Sequence, residues 1–157
     1  MTVRAYLALG SNLGDKQRHL EQAVERLRAL EGVVVLKVSR FIVTPALTPP
    51  EDPRPQPDYL NGAVELDTTL APAELLRAVK RLERELGRAD ATRWAPRVID
   101  IDVLFYGDQV IDAEGFQVPH PQLHKRRFVL EPLVELSPQL EHPVLHQTVR
   151  QMLDTLS

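Results

Sequence analysis

The chain has 157 residues, 43% hydrophobic and 26% charged, a balance that fits one globular domain and excludes disordered, fibrous and membrane-embedded chains. The absence of cysteine excludes thiolate zinc, iron–sulfur and cysteine-nucleophile chemistry, and a chain of this size buries enough surface to fold without a disulfide. A net charge of −3 argues against nonspecific nucleic-acid binding, and no apolar run reaches signal or membrane-spanning length, so a cytoplasmic protein with no membrane contact is expected.

Val3 to Leu9 alternates apolar and polar positions and predicts a half-buried strand. After the turn Gly-Ser-Asn-Leu-Gly-Asp, Asp15 suits a helix N-cap, Leu20, Ala23, Val24, Leu27 and Leu30 recur at helical spacing, and Gly32 suits the C-terminal stop. Val33 to Val43 and Tyr59 to Asp67 predict two strands; on the second, Leu60, Val64 and Leu66 oppose Tyr59, Asn61, Glu65 and Asp67. A second helix runs from Pro72 to Gly87, and a fourth strand from Val98 to Tyr106.

This order is the βαββαβ plan of an α+β, ferredoxin-like domain, with an antiparallel sheet, both helices on one face and the other face available. A short strand at Val110-Ile111 and helices near Phe128 to Leu136 and His146 to Leu156 are expected as C-terminal additions. Six of the 13 prolines fall between residues 45 and 57, which predicts an extended surface loop. No linker divides the chain, so residues 1–157 read as a single domain.

Asp100 and Asp102 project from one side of their strand about 6 to 7 Å apart, with Ile99, Ile101, Val103 and Phe105 expected on the opposite side. Their repulsion, about 2 kcal/mol at an effective dielectric near 20, would be reversed by a divalent cation, and hard carboxylate oxygens suit Mg²⁺ held together with phosphates. A solvated polar strand face gives the same pattern. Arg88, Arg93 and Arg97 precede the pair, and guanidinium forks beside an acidic metal pair suit a polyphosphate.

The glycine turn at 10–15 lacks the Lys-Ser/Thr of a phosphate loop and reads as structural. His120/His124 and His142/His146 have helical zinc spacing, but Pro119, Pro121 and Pro143 interrupt such helices; His120 with Lys125 and Arg126 fits a phosphate-binding surface better. Tyr59 beside Asn61 suits a planar heterocycle, although cross-strand packing would also explain the tyrosine.

With these residues assembled, the chain resembles the 6-hydroxymethyl-7,8-dihydropterin pyrophosphokinase family of folate biosynthesis nearly end to end. The resemblance is carried by YLALGSNLGD at 6–15, Thr44-Pro45, PDYLNGAVELDTTLAP at 57–72, LERELGR at 82–88, RWAPRVIDIDVLFYGD at 93–108 and VPHPQLHKRRFVLEPL at 118–133. It implies Mg²⁺-dependent transfer of pyrophosphate from ATP to the pterin's hydroxymethyl group, with AMP released and two metal ions held by Asp100 and Asp102. It further implies ATP bound by Arg88, Arg97, His120 and Arg126, with Arg88 and Arg97 also catalytic and Trp94 on a mobile loop that closes over the site. The pterin is implied to stack between Tyr59 and Phe128, its edge read by Asn61 and by the backbone near Thr44, Pro45 and Leu47. The small-molecule substrates ATP and 6-hydroxymethyl-7,8-dihydropterin are the expected partners, with no nucleic acid, and the chain is expected to be a monomer. Some members carry a second loop arginine where this chain has Ala89-Asp90.

Two rivals share the fold. An RNA-binding module would use sheet-face aromatics, but it needs a Gly-aromatic string on a central strand and the acidic pair would repel a phosphate backbone. A small-molecule-sensing regulatory module is the other, and AMP release from ATP and the pterin would dispose of both.

Overall fold

The computed structural model describes residues 1–45, 58–87 and 98–156. Leu47, Arg88, Trp94 and Arg97 lie outside the described residues, as do most of the proline-rich segment and the rest of 88–97. Strands β1 (Val3–Ser11), β2 (Val33–Val38), β3 (Ile42–Thr44), β4 (Tyr59–Thr68) and β5 (Asp100–Tyr106) form one antiparallel sheet. The order is β2-β4-β1-β5, and β3 extends the β2 edge of β4. Helices α1 (Lys16–Arg28) and α2 (Pro72–Glu85) cover one face, as the alternating strands and helical stripes require.

Local chemistry sets the helix ends. The Asp15 carboxylate accepts the Arg18 N–H at 3.2 Å, and Gly32 closes the turn after α1 with φ of 84°. Pro72 opens α2, and the Glu74 carboxylate accepts the Ala71 N–H at 2.8 Å. Between the helices and the sheet, Leu20, Leu27, Leu75 and Val79 meet Leu7, Leu9, Leu66 and Ile101 in a fully buried cluster. Each such side chain contributes about 1.5–3 kcal/mol of transfer free energy.

The expected strand from Val33 to Val43 is two strands. Ser39 interrupts it, because its Oγ takes the Ala63 N–H at 2.9 Å in place of a backbone carbonyl and donates to Arg40 O at 2.8 Å. Phe41 then lies over Gly62, where a Cβ would come within 2.6 Å of Phe41 Cδ1.

A second correction concerns Phe105. The register between β1 and β5 slips between Tyr6 and Leu7: Leu7 pairs with Val103 and Tyr6 with Phe105, leaving Leu104 as the extra residue of a bulge. One extra residue inverts the alternation beyond it, so Phe105 joins the aspartates' face, where its ring meets Tyr6 edge-on at 6.2 Å between centroids.

Among the described residues that face is open at one end only. Helices α3 (Arg127–Leu136) and α4 (Val149–Thr155), together with the 3-10 turn before them, bury Tyr6, Ala63, Leu104 and Phe105 beneath Leu123, Leu130, Leu133 and Met152. The last helix begins at the Thr148 cap rather than at His146, which has a positive φ of 56° in the preceding turn. The single strand expected at Val110-Ile111 is a hairpin, β6 (Ile111–Ala113) and β7 (Phe116–Val118), turning at Gly115.

Candidate active site

On the open end of the sheet, strand register decides which side chains meet. Gly10 of β1 pairs with Asn61 on one side and Asp100 on the other, and Ala8 pairs with Ala63 and Asp102. Directly paired residues of antiparallel strands share a face, so Asn61 and Asp100 flank Gly10 at a separation of about 9.5 Å, two strand spacings. The expected juxtaposition of the tyrosine–asparagine strand with the aspartate pair is thus present in the register.

Gly10 is the floor between them. A Cβ there would lie 3.1 Å from Asn61 Oδ1 and 3.6 Å from Tyr59 Cδ1, so both side chains approach the β1 backbone closely. Asn61 is buried, and its Nδ2 donates to Thr44 Oγ1 at 2.6 Å, which turns the amide and ties β3 to β4. Thr44 pairs with Tyr59, and Pro45 is exposed just beyond it. Lys16 Nζ donates to Asp58 O at 2.9 Å and anchors the start of this strand to the first turn of α1.

The aspartate strand is an edge strand, and α2 covers that edge. Both outward-facing polar groups of Ile101, the residue between the aspartates, are taken by α2: its N–H donates to Glu83 Oε2 at 2.5 Å, and its carbonyl accepts from Lys80 Nζ at 2.9 Å. Lys80 Nζ also stands 3.7 Å from Asp102 Oδ1, and the Asp102 side chain is 48% exposed, available to a ligand. Lys80 and Glu83 escaped the sequence reading. Their signal was an i, i+3 charged pair on the flank of a stripe formed by Leu75, Val79 and Leu82, where Glu83 is buried among apolar neighbours.

His120 enters from the chain after β7, following a cis Val118–Pro119 peptide. Its N–H donates to Leu104 O at 3.0 Å, which fixes its backbone to β5 beside Asp102. Its Nδ1 accepts the Gln122 N–H at 3.3 Å, so the ring's own proton sits on Nε2. Burial pushes the His120 pKa below the usual histidine value, opposed by Asp102 and assisted by Arg126 and Lys80. A neutral ring at pH 7 therefore offers Nε2–H as a donor.

Between α2 and the β6–β7 hairpin lies a cleft of about 490 Å³. Lys80, Asp102, Val103, Phe116, Gln117 and His120 are among its walls. The hairpin's share of this wall is also new, although Gly107-Asp108 and Gly115 are turn signals that bracket it. Arg126 lies at the start of α3, its guanidinium carbon 5.9 Å from the centre of the Phe128 ring.

In the turn that follows Gly10, Ser11 and Asn12 are buried and the Asp15 carboxylate is taken up as the α1 cap. His142 is buried edge-on against Phe105, and its Nδ1 accepts the N–H groups of Val144 and Leu145, each at 3.1 Å. Among the described residues no group of three or more His, Asp or Glu side chains gathers around a common point. No helix among them is long and apolar enough to cross a membrane.

The sequence profile of the family described as 7,8-dihydro-6-hydroxymethylpterin-pyrophosphokinase (HPPK) matches residues 6–138. The Bacillus subtilis 2-amino-4-hydroxy-6-hydroxymethyldihydropteridine pyrophosphokinase is 44% identical over 137 residues, covering 87% of this chain and 80% of that protein. The folic acid synthesis protein fol1 of Schizosaccharomyces pombe is 41% identical over 152 residues, covering 97% of this chain; the chain spans only 20% of that longer protein. Among solved structures, a wild-type Plasmodium falciparum HPPK-DHPS superposes with a TM-score of 0.73 at 15% identity, covering 99% of this chain and 43% of that one, a likeness of fold. The profile and the relatives agree: the chain belongs to the HPPK family, whose reaction is pyrophosphoryl transfer from ATP to hydroxymethyldihydropterin.

Proposed function

We propose that residues 1–157 act as one domain, a cytoplasmic monomer, in which the open end of the sheet binds the pterin and the adjoining cleft binds ATP. The observation that carries this reading is the row Asn61, Gly10, Asp100, which sets a residue with a side-chain amide and one with a carboxylate two strand spacings apart, about 9.5 Å between their backbones, across a glycine floor. A bicyclic heterocycle laid on Gly10 would present its polar edge to Asn61 and its hydroxymethyl arm toward the aspartates. Tyr59 and Phe128 would supply the stacking faces, and the backbone at Thr44, Pro45 and Leu47 would complete the edge contacts.

Asp100 and Asp102 fit magnesium held jointly with substrate phosphates. They offer hard oxygens on one face, and no third carboxylate or histidine joins them among the described residues in a closed cage. When bound, two such ions would neutralise triphosphate charge and lower the pKa of the attacking hydroxyl.

The chain's own groups supply the rest. His120 Nε2–H would donate to a phosphate oxygen, and Arg126 would pair with the triphosphate from the start of α3. Arg88 and Arg97 would stabilise the group in transfer, and Trp94 would close on the nucleotide. The hydroxymethyl oxygen would attack the β-phosphorus in line and give up its proton to solvent, the bond from the β-phosphorus to the bridging α-phosphate oxygen would break, and AMP would leave with that oxygen. No covalent intermediate on the chain is needed.

The test is AMP release from ATP with 6-hydroxymethyl-7,8-dihydropterin, with and without Mg²⁺. Release that requires the pterin and Mg²⁺ supports the reading; binding of both substrates without AMP would make the chain a sensor instead.

A further inference from the structure

Lys80 projects from α2 into the cleft, and nothing in the proposed reaction uses its charge. Its Nζ donates to Ile101 O at 2.9 Å and to Glu83 Oε2 at 3.4 Å, where it also forms an ion pair, and stands 3.7 Å from Asp102 Oδ1 as a second ion-pair partner. We propose that Lys80 is the resident counter-ion of the aspartate pair and makes divalent-metal loading conditional on the nucleotide; the inference rests on the aspartate–magnesium reading above.

Asp100 and Asp102 share a face and repel, and an ammonium beside Asp102 relieves that repulsion without any metal. A magnesium ion about 2.1 Å from an Asp102 oxygen would stand within about 6 Å of Nζ. The Lys80 and Asp102 side chains are 39% and 48% exposed, so solvent screens the pair, and screening as in bulk water gives the lower bound on the repulsion. At that distance and screening, repulsion between a single and a double positive charge weakens metal binding roughly tenfold. The triphosphate reverses the sign, because its oxygens attract both cations and give Nζ an alternative partner within the same cleft. The site therefore resists free metal and accepts it as the nucleotide complex.

Lys80 also holds the Ile101 carbonyl, so the test must separate charge from hydrogen bond. Lys80→Gln keeps an N–H donor and loses the charge, Lys80→Met loses both, and Lys80→Arg keeps the charge. Mn²⁺ affinity is measured on the whole chain by electron paramagnetic resonance, with and without a nonhydrolysable ATP analogue, and melting midpoints are recorded on the same samples. Without nucleotide, the Gln and Met variants should bind Mn²⁺ about 10-fold more tightly than the native chain, and the Arg variant within about threefold of it. With the analogue, all four should agree within about threefold. Equal Mn²⁺ affinity in native and Lys80→Gln chains without nucleotide would overturn the inference while leaving the aspartate site standing. A change confined to Lys80→Met would assign Lys80 to the hydrogen bond alone and overturn it equally. Absence of Mn²⁺ binding in every variant, with or without nucleotide, would remove the aspartate–metal reading itself.

Discussion

Two glycines in neighbouring strands meet side chains at short range, and their alanine variants should separate function from stability. Gly10 has a backbone that any residue can adopt, and alanine in a strand interior gains roughly 0.5–1 kcal/mol over glycine through the unfolded chain. The new Cβ would sit 3.1 Å from Asn61 Oδ1, a contact relieved by a shift of a few tenths of an ångström. Asn61 is held against that shift by its 2.6 Å bond to Thr44, so the displacement falls on the amide that would read the pterin. Misplacing one or two hydrogen bonds of about 0.5–1.5 kcal/mol each weakens pterin binding by roughly 10-fold. Net stability should stay within about 1 kcal/mol, or 2–4 °C in melting midpoint for a chain of this size.

Gly62→Ala is the control, because its Cβ would come 2.6 Å from Phe41 Cδ1 and 3.0 Å from Cε1, forcing the ring out of place. It should lose about 1–3 kcal/mol. Calorimetric titration with pterin and with a nonhydrolysable ATP analogue, beside thermal melts, reads both effects. If Gly10→Ala bound pterin within twofold of the native chain, or lost pterin and nucleotide affinity equally, the slot over β1 would be refuted.

Asp102→Asn should reduce AMP release by about 10²-fold or more with an unchanged circular dichroism spectrum, and near-normal turnover in Mg²⁺ would contradict the metal assignment. Tyr59→Ala and Phe128→Ala should each weaken pterin binding by roughly 1–3 kcal/mol, by analogy with base stacking, and nucleotide binding by less; equal losses in titrations of folded protein would place both rings in the core. His142 is held below the usual histidine pKa by burial first, then by His124 and His146, so the unfolded chain binds more protons there than the folded one. Its contribution is intact above a pH of about 6.5 and lost as pH falls through the folded pKa, so melting midpoints should drop as pH falls below about 6.5, and the slope should flatten in His142→Ala.

Much of this molecule follows from local rules acting on local residues. The period of two in Val3 to Leu9 and Tyr59 to Asp67, the helical stripes with Asp15, Gly32 and Pro72 at their ends, and the split order of strands and helices require the sheet and its helix-covered face. The same alternation puts Asp100 with Asp102 and Tyr59 with Asn61, because a strand's sidedness needs no knowledge of its neighbours.

What failed to show depends on contacts between distant residues. Phe105 changes face because β5 carries one residue more than β1 at Leu104, a mismatch visible only when two strands distant in the sequence are paired. The break at Ser39 exists because its hydroxyl finds Ala63, and half of the second face closes because α3 and α4 have apolar sides that settle over Tyr6 and Phe105. Lys80 and Glu83 look like ordinary surface charges until α2 meets the unpaired edge of β5, whose Ile101 N–H and C=O require partners once strand pairing ends. Sequence period thus determines which side of an element a residue occupies; only tertiary packing, through register, bulges and unsatisfied edges, decides what stands opposite it.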